Sequence, residues 1–148
     1  MRGLLNELAV EPADITILDM EASIEHMTRG TVRHVDTMLI LVEPYFRALE
    51  TAGRMAPLAH DLGIPTVLAI ANKIRTPEDE VAVNTYCDAH GIEVIARVPF
   101  DVSVTEADLR GVALLDYAPE APVVQALHEL ARSLARRAGM SSENGSVR

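Results

Sequence analysis

The sequence predicts an α/β protein: a parallel sheet of about four strands flanked by helices. Three observations carry that expectation. Four short runs, Ile15–Met20, Thr37–Glu43, Thr66–Asn72 and Glu93–Phe100, are mostly continuous in apolar residues rather than alternating. Such runs suit parallel strands that are covered on both faces. Stretches of helical spacing separate them, and strand–helix alternation implies right-handed crossovers between parallel neighbours. Finally, 148 residues with 49% hydrophobic content suffice for one domain with a real core, and 3% aromatic content makes that core aliphatic.

The elements follow in order. Leu4, Leu5 and Leu8 suit the end of a helix packed on the sheet, and the segment before Ile15 is too short for another strand–loop–helix unit. A helix over Ala22–Val35 is expected after the first strand. Tyr45–Leu62 follows the second, with Leu49, Ala52, Met55, Ala56 and Ala59 on one face and Gly63 at its end. Pro57 inside it should kink or split the helix, because proline removes one hydrogen bond and crowds the preceding turn. Pro77–His90 follows the third strand, with Thr76 as N-cap, Asp79 three residues on, and Gly91 as the stop. A short helical turn is expected around Thr105–Arg110. A long helix, Pro122–Ala138, closes the fold with Val124, Leu127, Leu130, Leu134 and Ala138 as its stripe. Residues 1–138 therefore read as the domain, and 139–148 as a polar, flexible tail.

A formal net charge of −9 argues against nucleic acid and anionic membranes as partners, since both need clustered Lys and Arg. No apolar run approaches a bilayer span, and Met1–Glu7 does not resemble a signal peptide, so a cytoplasmic protein is expected. One cysteine, Cys87, excludes an internal disulfide or a cysteine-pair metal site within the chain. It lies within a predicted helix, where packing is the simpler role.

Three strand ends carry candidate chemistry, each with a plainer alternative. Asp19 and Glu21 end the first strand, where carboxylates can hold Mg²⁺ through water or orient an attacking water; equally, they suit the start of a helix. Asn72-Lys73 ends the third strand. Asn72 offers the donor and acceptor needed to read a purine edge, but Asn is also at home in strand-end turns. Val98-Pro99-Phe100-Asp101 ends the fourth, and there Asp101 suits an N-cap. Glu25-His26 and the other histidines form no complete ligand set.

In order and spacing these segments resemble one family. From Asp14 to about Ala138 the chain is similar to the carboxyl-terminal half of the MinD/ParA-like ATPases with a deviant Walker motif. It is most similar to the CooC type, which serves nickel insertion into carbon monoxide dehydrogenase. The resemblance rests on Leu18-Asp19-Met20-Glu21-Ala22-Ser23-Ile24-Glu25-His26-Met27-Thr28-Arg29-Gly30-Thr31, on Val35-Asp36-Thr37 leading to Val42-Glu43-Pro44, and on Leu49-Glu50-Thr51-Ala52. Ala71-Asn72-Lys73 and Val98-Pro99-Phe100-Asp101, with Ala107 and Gly111 beyond, complete it.

The resemblance implies a P-loop NTPase-like fold, with ATP and Mg²⁺ as cofactors. Asp19 becomes the Walker B carboxylate acting on Mg²⁺ through water, with Glu21 beside it as the second catalytic candidate. Asn72 reads adenine, Lys73 adjoins it, and Pro99, Phe100 and Asp101 lie in the loop beside the base. Two departures stand out. Ser23 occupies a place where the family usually has Gly. The sequence also contains neither G-x-x-x-x-G-K-[ST] nor a Cys-x-Cys nickel site. In this family the phosphate-loop strand lies between those equivalent to Ile15–Met20 and Thr37–Glu43. Its absence implies that the two strands close up, or that another chain fills the slot, or that the fold is unstable. The chain is therefore expected to be inactive alone. The family implies a homo-oligomer, a full-length ATPase relative or carbon monoxide dehydrogenase as partners. A non-enzymatic interaction module is the alternative function, and a receiver-like signalling domain fits the order of elements poorly.

Overall fold

The computed structural model describes residues 15–19 and 35–139. Three parallel strands form one sheet: β1 (Thr37–Val42), β2 (Thr66–Ile74) and β3 (Glu93–Pro99), in the order β1-β2-β3. Between them run α1 (Phe46–Asp61) and α2 (Pro77–Ala89), and after β3 come α3 (Val102–Arg110), α4 (Leu114–Tyr117) and α5 (Pro122–Arg137). The predicted fold class is correct, and three of the four predicted strands form.

The sheet has two apolar faces. On one, Ile40, Val42, Ala69 and Ala71 pack with Leu49, Ala52, Met55 and Ala56 of α1 and Val83 and Cys87 of α2. On the other, Ile70 and Val98 pack with Val123 and Val124 of α5. Central β2 is therefore sealed on both sides, as its unbroken apolar run predicts. Cys87 is a packing residue: it is fully buried, and burial pushes its thiol up from the ordinary value.

Local chemistry sets the element boundaries. Thr76 and Asp79 form a reciprocal capping box, with Pro77 in the first helical turn. Gly63, Gly91 and Gly111 take the left-handed conformation that ends α1, α2 and α3. The short helix predicted around Thr105–Arg110 instead begins at Val102, because Asp101 accepts a hydrogen bond from the Ser103 amide and starts the helix earlier. The sequence reading missed α4.

Four further expectations need correction. Residues 15–19 form no strand and are exposed, with Ile17 at 78%. A lone strand gains nothing without a ladder partner, and β1 uses its ladder on β2 alone among the described strands. Direct pairing with β1, one of the three outcomes expected for this segment, is not formed by residues 15–19. Pro57 does not split α1, which runs unbroken from Phe46 to Asp61. Pro57 is exposed, and buried residues on both sides of it (Met55, Ala56 and Ala59) hold the helix to the core. The third predicted strand does not end at Asn72-Lys73 but continues to Ile74 through an irregularity. Finally, the stripe on α5 is only partly covered. Val124 is buried and Leu130 and Leu134 are half-buried, but Leu127 and Ala138 are exposed. The expected helices before Ile15 and over 22–34, and the tail beyond Gly139, lie outside the described residues.

The α1–α2 contact depends on Gly53. The Tyr86 ring stacks on His90 with centroids 4.1 Å apart, and its hydroxyl donates to Glu50 at 3.4 Å. A Cβ on Gly53 would meet Tyr86 Oη at 2.6 Å and His90 Cδ2 at 3.0 Å. Alanine normally improves a helix interior by about 0.5–1 kcal/mol over glycine. Here Gly53→Ala should destabilise the protein. In a Tyr86→Phe background, where the 2.6 Å contact is gone and only the His90 ring still crowds the site, the same change should cost less. Urea unfolding of the four proteins in this cycle measures the difference.

Candidate functional site

Parallel strands place all their carboxyl ends at one edge, and here that edge gathers a connected set of polar and aromatic side chains. β1 leads into Glu43, Pro44 and Tyr45; β2 ends at Asn72, Lys73 and Ile74, followed by Arg75; β3 ends at Pro99, followed by Phe100 and Asp101. The last pairing is Ile74 with Pro99, and the Phe100 amide donates to the Ile74 carbonyl at 2.9 Å. That bond brings the end of β2 against the loop after β3.

Arg75 joins the three strand ends. Its Nη1 donates to the Tyr45 hydroxyl at 2.8 Å, and its guanidinium lies over the Phe100 ring, 4.2 Å from the centroid. Its backbone is fixed as well, because the Arg75 amide donates to Asp79 Oδ2 at 2.9 Å, extending the cap of α2 by one residue. Arginine suits this position because its charge is delocalised over a plane that can stack and hydrogen-bond at once.

Lys73 is the backbone outlier. Its φ of 55° makes it the single non-glycine residue with positive φ among the described residues. The strained turn directs its Nζ to Glu43 Oε1 at 2.6 Å, tying β2 to the exit of β1. Such a conformation in a non-glycine residue costs on the order of 1–3 kcal/mol and is characteristic of functional sites.

Asn72 is half-buried on β2, one residue before this turn, and Pro99 is half-buried at the end of β3. Phe100 is 42% exposed. Asp101 takes the capping role: Oδ1 accepts from the Ser103 amide at 2.9 Å. The nearby Ser103 hydroxyl, although it meets no acceptor at full hydrogen-bond geometry, and then the Ser103 amide hold the Asp101 carboxyl below its ordinary value.

The structure thus brings Asn72, Lys73, Pro99, Phe100 and Asp101 to one edge, as the sequence predicts. It does not extend that grouping to Asp19, which is exposed in a segment that joins no strand. The strand expected to carry its carboxylate is not formed by residues 15–19. Glu21 and Ser23 lie outside the described residues. Sequence reasoning missed Tyr45 and Arg75. The one signal in the chain was position, since each lies just after a strand, but the contacts that join Tyr45 and Phe100 to Arg75 are purely tertiary.

Known proteins give the site a context. No protein-family model matches the chain. It is 35% identical to the carbon monoxide dehydrogenase accessory protein CooC of Rhodospirillum rubrum over 139 residues, covering 94% of this chain and 51% of that protein. It is 41% identical over 111 residues to an uncharacterised ATP-binding protein of Methanocaldococcus jannaschii, covering 75% of this chain and 43% of the relative. A ParA-family ATPase from Chlorobium tepidum shares its fold with a TM-score of 0.69 and 25% identity, covering 88% of this chain and 54% of that one.

Two measurements check the site's local physics. Lys73→Gly should leave the protein more stable than Lys73→Ala by about 1 kcal/mol, since both lose the Glu43 pair and only glycine relieves the left-handed strain. Urea midpoints compare them. Because the Asp101 carboxyl is depressed, its capping contribution is complete above the unfolded pKa and is lost as pH falls through the lower folded value. The Ser103 amide resonance should therefore titrate with a midpoint below 3.8, and Asp101→Asn should abolish that titration.

The chain spans about half the length of the curated relatives it matches, and by sequence and fold together it belongs with the CooC- and MinD/ParA-like P-loop ATPases.

Proposed function

We propose that these 148 residues form the base-recognition portion of a CooC-like nucleotide-binding ATPase domain, corresponding to its carboxyl-terminal half. In this reading Asn72 reads the purine edge and the loop Pro99–Asp101 lies beside the base. The inherited role is ATP-dependent maturation of a metallocentre, with nickel as cargo and carbon monoxide dehydrogenase as client. The observation that supports it is the convergence of Asn72, Arg75 and Phe100 at the carboxyl edge of a parallel sheet, in a chain related to CooC and to an ATP-binding protein. Ligands of open α/β sheets bind at that edge.

The residues gathered at the strand ends suit the base part of a nucleotide. Asn72 offers one donor and one acceptor group, and Phe100 with Arg75 offers planar surface. No group of three or more His, Cys, Asp or Glu placed to hold a metal ion occurs among the described residues, and Asp19 is exposed in a segment that forms no strand. When bound in an ATPase of this kind, magnesium would neutralise developing phosphate charge. What these residues do themselves is hold and orient a base.

A second reading, an interaction module, draws on a different observation. The outer edge of β1 pairs with no described strand, and Leu41 and Phe46 beside it are 62% and 75% exposed. An open parallel edge with apolar neighbours accepts another strand readily. The partner would be a second copy or a fuller ATPase relative.

The purified 148-residue chain should release no phosphate from radiolabelled ATP above background, because it contains no phosphate-loop motif. It should nevertheless take up ADP weakly, and Asn72→Ala should reduce that uptake about fivefold by removing hydrogen bonds to the base. Turnover at the rate of intact relatives, or ADP uptake indifferent to Asn72, would overturn the base-recognition reading. Light scattering after size exclusion tests the second-copy form of the second reading, which requires self-association through the β1 edge.

A further inference from the structure

The geometry points to Arg75 as the stacking platform for the base: its guanidinium, hydrogen-bonded to the Tyr45 hydroxyl and held over the Phe100 ring, stays exposed for a purine to stack on. This rests on the base-recognition reading above and deepens it by giving Arg75 a specific role.

Four observations converge on it. The guanidinium lies over an aromatic ring, 4.2 Å from its centroid, so its position is set by the Phe100 loop. A hydrogen bond of 2.8 Å to Tyr45 fixes the direction of its edge. The backbone is held by Asp79 through the α2 cap, so the side chain starts from a fixed origin. The residue is nonetheless exposed and stands three positions after Asn72, on the strand end that packs against the Phe100 loop.

A long, flexible side chain normally loses rotamer freedom when it is ordered on a surface. Here that ordering is already made by Tyr45, Phe100 and the helix cap, which leaves a preformed planar cation. Bases stack on Arg guanidinium planes as they do on aromatic rings, and the contact tolerates any planar base. The chemistry that fits is a purine nucleotide whose base lies on the guanidinium, while Asn72 reads its edge. Lysine could supply the charge but not the plane.

The test uses the whole 148-residue chain, with adenosine monophosphate as probe and ribose 5-phosphate as the base-free control, followed by NMR. In the wild type, adenosine monophosphate should shift the Asn72 and Phe100 amides and move the Arg75 side-chain protons upfield through the ring current of the stacked base. Ribose 5-phosphate should do neither. Arg75→Gln and Arg75→Lys should each weaken binding about tenfold, the lysine variant failing although its charge is kept. Tyr45→Phe, which removes only a hydroxyl, should weaken binding less and reduce the upfield shift. If Arg75→Lys binds like the wild type, or if the wild type binds without an upfield shift, stacking on Arg75 is wrong while Asn72-dependent binding leaves base recognition standing. If the wild type takes up no adenosine monophosphate, both readings fall together.

Discussion

The structure depends on β2 being sealed on both faces. Leu68, Ala69, Ile70 and Ala71 are four consecutive residues with exposures of 5% or less. A strand in that position must hydrogen-bond on both edges and find apolar cover on both sides, which fixes β1 and β3 as parallel neighbours and requires α1 and α2 on one face and α5 on the other. It also fixes the site. β2 extends beyond the end of β1, and its last residues leave the buried region through the strained turn at Lys73. The central strand thereby places Arg75 at the rim, where the locally encoded capping box of α2 then fixes its backbone.

The distribution of aromatic residues supports a functional edge. The sequence has two Phe, three Tyr and no Trp, and its fully buried core is aliphatic with one cysteine. Tyr45, Phe46 and Phe100 stand at the carboxyl ends of the strands, exposed by 50%, 75% and 42%. Large apolar rings are usually most valuable inside a protein, where each buries a large area. Placing three of them at one rim forgoes that burial, and two of them touch the same guanidinium. A purely structural account explains the aliphatic core but gives no reason for this grouping.

How much of this was legible in the sequence follows from the range of each interaction. The strands, α1, α2 and α5 were readable because apolar periodicity, capping chemistry and glycine stops act within a few residues. The Thr76–Asp79 box is the clearest case, since both partners and their spacing are visible in the chain. The sheet edge was readable from topology, which places Asn72, Pro99, Phe100 and Asp101 together without reference to any contact. The segment 15–19 was misread because an apolar run encodes burial but not a partner, and a strand requires both. Pro57 was misread because its local cost was counted without the tertiary contacts on either side. Arg75 was invisible for the opposite reason. Its neighbours Tyr45 and Phe100 lie 30 and 25 residues away in the chain, and nothing local distinguishes it from a solvated arginine before a helix cap.

The magnitudes say what such an edge can and cannot accomplish. Stacking one base on a planar group contributes about 1–3 kcal/mol. One or two hydrogen bonds to the base edge add about 0.5–1.5 kcal/mol each. Their sum, roughly 1.5–6 kcal/mol, brackets the 4.1 kcal/mol that corresponds to a millimolar dissociation constant. Tighter nucleotide binding requires the convergent backbone N–H groups, helix dipole and lysine of a phosphate loop, and these 148 residues contain no such motif. The two contributions do different things. Phosphate contacts are blind to the base and set affinity, whereas the strand-end cluster is blind to the number of phosphates and sets which nucleotide fits. The isolated chain therefore reports base selection in pure form. Its binding should depend on the base and hardly at all on whether one, two or three phosphates follow it, and a steep rise in affinity from adenosine monophosphate to ATP would place a phosphate-binding element among residues where the sequence shows none.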